Sequence, residues 1–184
     1  MEQARTRAKE RAFDDYLVAS SRLGDAKAFA LLVRRWNGRL IAHAWRLLGN
    51  RDDAREAVQE AWTEILSGLA GLHDARAFPA WAYRIVSRRC ARQIGQAQAR
   101  RRLAETIANQ PEIPAAEAVA ANDIDRLRVA IRGLPAAQRA AVALFHLEEM
   151  SVAEVAVALG VPAGTVKTRL MHAREKLRKV LQGE

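Results

Sequence analysis

Lys167, Met171, Arg174 and Arg178 recur at steps of four, three and four, which sets them on one face of a helix. Thr168, His172, Glu175 and Lys179 run beside them. A cationic strip with polar residues near its N-terminus has chemistry for a polyanion. In a DNA major groove its first turns would meet base edges, and its later Arg and Lys would reach phosphates. A second strip, Arg84, Arg88 and Arg92, steps by four within residues 83–102, a segment with seven Arg and no Asp or Glu. Residues 52–64 carry the opposite sign, with five carboxylates opposed only by Arg55. Charge segregated in this way points to at least two kinds of partner surface.

Each strip needs a helix anchored on its other side. In 163–181, Val166, Leu170, Ala173, Leu177 and Leu181 form an apolar stripe, and residues 151–159 form a shorter helix that ends at Gly160 before Pro162. Short helix, glycine-containing turn and second helix make a helix-turn-helix. Ala156 is small enough for a close helix crossing, and Val155, Leu159, Val161 and Val166 can seal it. A basic helix alone reads as an ordinary solvated surface; the turn, Ala156 and the split faces together favour DNA reading.

Upstream, three apolar periodicities define one core to about residue 95. The first spans Asp25–Leu48, with Phe29, Leu32, Val33, Trp36, Leu40, Ile41, Ala44, Trp45 and Leu48. The second begins at "RDDAREAVQEAW", with Asp52 or Asp53 as N-cap, and buries Ala54, Ala57, Val58, Ala61, Trp62, Ile65 and Leu69. The third runs from about Pro79 to Ile94 on Phe78, Trp81, Ala82, Ile85 and Val86. All four tryptophans, 36, 45, 62 and 81, fall in these helices. Residues 96–121 hold two prolines and no sustained stripe, and read as a flexible linker in which partial helix is left open. Helices over 122–132 and 136–147 complete a second unit. The expected fold is all-α: two small helical domains, 12–95 and 122–182, joined by the 96–121 linker.

The 184 residues carry a formal net charge of +9 with half of them apolar, which favours nucleic acid over an anionic membrane as partner. The N-terminal segment lacks an apolar h-region and no run reaches the roughly 18–20 apolar residues of a membrane span. A cytoplasmic protein without membrane insertion is the expectation. Cys90 is the single cysteine, and the histidines have no ligand spacing, so neither metal nor cofactor is expected. A Cys90 nucleophile assisted by His43, His73 or His146 has no oxyanion-donating turn to complete it; a half-buried structural cysteine is the better reading. No catalytic residue is assigned.

The motifs in order resemble an extracytoplasmic-function (ECF) sigma factor over roughly residues 12–182. "DDAREAVQEAWTEIL" is similar to sigma region 2.2, "AFPAWAYRIVSRRCARQI" to regions 2.3–2.4 with the Trp81, Tyr83, Arg84, Ile85 core, and "GTVKTRLMHAREKL" to region 4. The resemblance implies a factor that binds core RNA polymerase, recognises promoter DNA and initiates transcription without being an enzyme. It implies that Asp53, Glu56, Gln59 and Glu60 dock the clamp helices of the largest polymerase subunit, with a further contact at the flap. It implies a minus-ten surface on Arg84, Arg88, Arg89, Arg92 and Phe78, with the loop Gly71–Phe78 capturing a flipped base of the opened strand. For the minus-thirty-five duplex it implies base reading by Lys167, Thr168, Met171 and His172, and phosphate contacts from Arg169, Arg174 and Arg178. An anti-sigma protein is the family's customary further partner, and the linker would thread toward the RNA exit path, where the acids of 103–125 either mimic nucleic acid or serve a plain solubilising tether. Arg88 and Arg89 stand where relatives usually have Asn next, which implies stronger phosphate binding; Glu56 replaces the usual Asp. The alternative is a helix-turn-helix regulator of response-regulator type, which needs an α/β receiver that residues 1–95 do not pattern.

Overall fold

Every regular element of the computed structural model is helical, among the residues it describes, 2–105 and 123–182. The chain divides into two compact units, residues 1–90 with 157–160, and residues 91–156 with 161–184.

The first unit is built on α1 (Glu2–Arg22), α2 (Ala26–Leu48), α3 (Arg51–Gly68) and the start of α4 (Phe78–Glu105). Local chemistry sets the boundaries. The Asp25 carboxylate accepts from the backbone N–H of Lys27 at 2.8 Å and Ala28 at 3.0 Å, capping α2. Gly49 takes φ +78 and its N–H closes α2 on the Trp45 carbonyl at 2.8 Å, a conformation that suits glycine because it has no Cβ. The next residue, Asn50, caps α3 by accepting from Asp52 N–H at 2.8 Å. The cap is therefore Asn50 rather than Asp52 or Asp53. Those acids occupy the first turn, where their charge faces the positive end of the helix dipole.

Alanines at 54, 57 and 61 let α3 approach α2 closely, with Leu32, Leu40, Val58 and Ile65 filling between them. Trp36 centres this core, edge-on to Phe78 at 5.2 Å and inclined to Tyr83 at 5.9 Å, so α4 is locked to α2 through aromatic rings. Trp62 stands edge-on to Phe29 and donates its indole N–H to Asn37 Oδ1 at 3.1 Å. Trp45 departs from the expected core: it is 41% exposed, because its neighbour Ala44 takes the inward position and the next residue is turned aside by about 100°. Cys90 is fully buried rather than half-buried, and burial pushes its thiol up to about 12, which leaves it protonated and unreactive.

α1 is an element the sequence periodicity does not reveal. It is dominated by charge and buries chiefly Leu17 and Val18. A part-buried ion pair between Asp14 and Arg35, at 2.7 Å, fixes it to α2. At its other end, α4 continues past Ile94 to Glu105, so the first part of the expected 96–121 linker is helix. The remainder of that linker, and most of the acidic 103–125 segment, lie outside the described residues.

The second unit contains α5 (Asp123–Arg132), α6 (Ala136–Val142) continued by a π-helical turn Ala143–Leu147, the start of α7 (Val152–Leu159) and α8 (Ala163–Gln182). Arg139 donates to the carbonyls of Arg132 at 2.7 Å and Leu134 at 3.2 Å, which holds the α5–α6 turn. α7 opens with a capping box: Ser151 Oγ accepts from Glu154 N–H at 3.2 Å, and the Glu154 carboxylate accepts from Ser151 N–H at 2.7 Å. It closes at Gly160, φ +65, with Gly160 N–H on the Val157 carbonyl and Val161 N–H on that of Ala156, the paired bonds of a Schellman turn.

Candidate functional site

α8 is held from one side. Val166, Leu170 and Ala173 are buried and Leu177 is half-buried; the Leu181 side chain is outside the described set. Its main packing partners are α5 and α6. Ala156, expected to permit a close crossing, is only half-buried; Val155 and Ala158 are the residues of α7 that point inward. The helix is therefore positioned chiefly by the bundle behind it rather than by the preceding helix of the motif.

The opposite side of α8 carries what the periodicity placed there. Lys167, Thr168, Met171, His172, Arg174 and Arg178 are exposed, and Arg169 is half-buried. Thr168 donates its hydroxyl to the Gly164 carbonyl at 3.1 Å, which leaves its oxygen outward as an acceptor. His172 Nδ1 lies 3.3 Å from a Glu175 carboxylate oxygen, one turn along. Met171 is an apolar patch, 49% exposed, between cationic neighbours. Beside this face lies an open groove of about 360 Å³ lined by Phe145, Val152, Leu170 and Met171, with Lys167, Arg174, Arg178 and Glu175. Phe145 comes from the π-helical turn and Val152 from the first turn of α7. Neither is marked by the charge periodicity; the Ser151–Glu154 spacing is the local signal for the second. Chemically, the surface offers cationic donors along one helix face, together with an apolar contact.

The first unit carries two charged faces. Asp53, Glu56, Gln59 and Glu60 are exposed on α3, opposite its buried alanines. On α4, Arg84, Arg88 and Arg92 are exposed and Arg89 is half-buried. The faces are not separate. Arg89 NH1 donates to Glu60 at 2.9 Å, and its Nε and NH2 donate to Glu64 Oε2 at 3.2 and 3.0 Å, while Arg88 NH2 donates to Glu64 Oε1. Glu64 received no role in the sequence reading, because pairing across twenty-four residues leaves no local pattern. Two arginines read as phosphate ligands are thus already matched by carboxylates in this structure.

Phe78 requires a correction. It is 1% exposed, enclosed by Trp36 and Trp81, and has no surface on which a base can stack. Trp81 is half-buried, with its ring against Gly68, where even a Cβ would come within 3.0 Å of it. The loop before it is mostly exposed; Asp74 caps its 3-10 turn on Arg76 N–H at 3.0 Å, and Arg22 donates to the His73 carbonyl at 3.3 Å. The Arg76 guanidinium holds the Asp74 carboxyl below its usual range. His43, the buried histidine, sits against Ser87 Oγ at 2.9 Å and is kept neutral by burial.

Comparison with known proteins places the chain in a class. Residues 32–101 match the family described as Sigma-70 region 2, and residues 124–177 match Sigma-70, region 4. ECF RNA polymerase sigma factor SigM of Mycobacterium tuberculosis is 31% identical over 169 residues, 91% of this chain and 84% of that protein. SigW of Bacillus subtilis, another ECF RNA polymerase sigma factor, is 27% identical over 171 residues, 86% of this chain and 91% of that protein. In structure, the sigma factor RpoE from Bartonella quintana, solved with the anti-sigma factor NepR, shares the fold. Its TM-score is 0.67 at 21% identity, over 85% of this chain and 98% of that one. The chain belongs to the ECF family of RNA polymerase sigma factors. It is an alternative sigma factor that initiates transcription, and its family is one of initiation factors rather than enzymes. A response-regulator reading is not favoured, and among the described residues there is no strand from which to build a receiver. No helix among the described residues is long and apolar enough to cross a membrane.

Proposed function

We propose that α8 reads the minus-thirty-five duplex with Lys167, Thr168, Met171 and His172, while Arg169, Arg174 and Arg178 contact its phosphates. The observation that carries this is the split helix: Val166, Leu170 and Ala173 are buried, and the neighbouring face is cationic and exposed. Arg84 and Arg92 on α4 supply phosphate contacts at the minus-ten element, joined by Arg88 and Arg89 when their carboxylate partners are drawn away. Phe78 is excluded from that set by its burial. Asp53, Glu56, Gln59 and Glu60 dock the clamp helices of core polymerase, a basic partner being the one an acidic face attracts without attracting DNA. The functional domains are residues 12–95 and 122–182, and the protein acts in the cytoplasm. An anti-sigma protein holds it inactive, as suits a chain sharing the fold of RpoE, which was solved with one.

Run-off transcription with purified core polymerase on a library of promoter fragments tests the whole reading. Sequence-selective transcripts that depend on the added chain are expected. Failure to associate with core polymerase would remove the docking face.

A further inference from the structure

The carboxylate of Glu64 projects from α3 into the basic face of α4. Its side chain is 26% exposed and that of Arg89 is 27% exposed, so the pair is partly shielded from water. All three guanidinium nitrogens of Arg89 are occupied, Nε and NH2 by Glu64 and NH1 by Glu60. A guanidinium with its fork filled and its charge matched has little left for a phosphate. Glu64 also accepts from Arg88 through its other oxygen. Glu60, the outer and more exposed carboxylate of this network, belongs to the acidic face assigned to polymerase. One side chain therefore stands in both the docking face and the network that neutralises the DNA-facing arginines.

We infer that Glu64, with Glu60, is a positioning residue that masks Arg88 and Arg89 in the free protein, and that polymerase groups engaging Glu60 release them toward promoter phosphates. The inference rests on the proposed reading that α3 docks polymerase and α4 faces DNA. A basic polymerase surface competes for the Glu60 carboxylate; Arg89 then loses one of its two holders, and the less shielded Arg88–Glu64 contact exchanges readily with solvent and phosphate. Because coupling between two binding events is reciprocal, DNA on α4 strengthens polymerase docking by the same factor. Free protein is thereby kept from holding DNA unproductively.

The test uses the full chain and a labelled oligothymidylate, with fluorescence anisotropy across a salt series. Glu64→Gln frees Arg88 and leaves Arg89 held by Glu60 alone. One unmatched arginine should add about 0.7 to the single-strand salt slope, with affinity rising about fivefold at low salt. Adding Arg88→Ala and Arg89→Ala to that variant should abolish the gain, a result that general loosening of the fold does not give. Glu10→Gln on α1 removes the same charge and sets the baseline; a Glu64→Gln gain no larger than this baseline overturns the inference. Should thermal melts show Glu64→Gln unfolded, Glu60→Gln is read in its place and should give about half the effect; no gain there also overturns it. With core polymerase bound, the advantage of Glu64→Gln should vanish, and a gain that persists undiminished refutes release on docking. Arg84→Ala and Arg92→Ala separate the two failures. If neither weakens binding, the DNA-face reading falls; if both do while Glu64→Gln changes nothing, only the masking falls.

Discussion

Replacing Phe78 by Leu and by Ala separates a core role from a base-stacking role. The ring is 1% exposed, stands edge-on to Trp36 at 5.2 Å and lies tilted to Trp81 at 6.2 Å. Alanine removes the ring and leaves a cavity beside Trp36, a loss of about 3–5 kcal/mol. For a unit of this size, about 4–8 °C of melting temperature goes with each kcal/mol, so the midpoint should drop by roughly 12–40 °C. Leucine retains most of the volume and forfeits the aromatic contacts, each worth about 0.5–1.5 kcal/mol, for a total near 1–3 kcal/mol. Circular dichroism melts measure both variants. Binding of a minus-ten single strand is then measured by anisotropy well below each midpoint, in the presence of core polymerase. Folded Phe78→Leu should bind like the parent. If it melts like the parent but binds the strand tenfold more weakly, the ring touches a base and the packing argument is wrong.

Arg174→Ala should weaken duplex binding across all upstream-element sequences and reduce the salt slope by about 0.9, whereas Lys167→Ala should change the ranking among sequence variants; an unchanged slope or an unchanged ranking removes the respective role. Ser151→Ala breaks the capping box of α7 and should cost about 1 kcal/mol in a denaturant titration, with no change in the slope of unfolding free energy on denaturant. His43 is lowered from 6.5 to about 3 by burial, so the unfolded chain binds a proton that the native one refuses. Stability should therefore be full above about pH 6.5 and fall toward pH 3, with a limiting slope of about 1.4 kcal/mol per unit. His43→Gln should flatten that part of the profile, and parallel profiles for the two proteins would refute the assignment.

Much of the molecule is local and so was legible in the chain. The apolar steps of Val166, Leu170 and Ala173, the alanines of α3 and the stop at Gly160 each follow from helical periodicity or from glycine's conformational freedom. Those same steps place Lys167, Arg174 and Arg178 outward, because the exposed face of a helix is the complement of its buried one. The linear pattern failed where a residue's environment is set by a distant segment. Phe78 and Trp45 are both aromatic and both fit a stripe, yet Trp36 and Trp81 enclose the first, while the second, beside the inward Ala44, is 41% exposed. α1 shows too narrow a stripe to be read, and it is an element because Leu17, Val18 and the Asp14–Arg35 pair find α2.

Charge makes the division clearest. The amino-acid order alone determined that α3 is acidic and α4 basic, since sign and helical face are both properties of the local chain. Only the tertiary structure decided that Glu60 and Glu64 spend their charge on Arg88 and Arg89, because a hydrogen bond depends on where two helices meet in space and sequence separation carries no record of that.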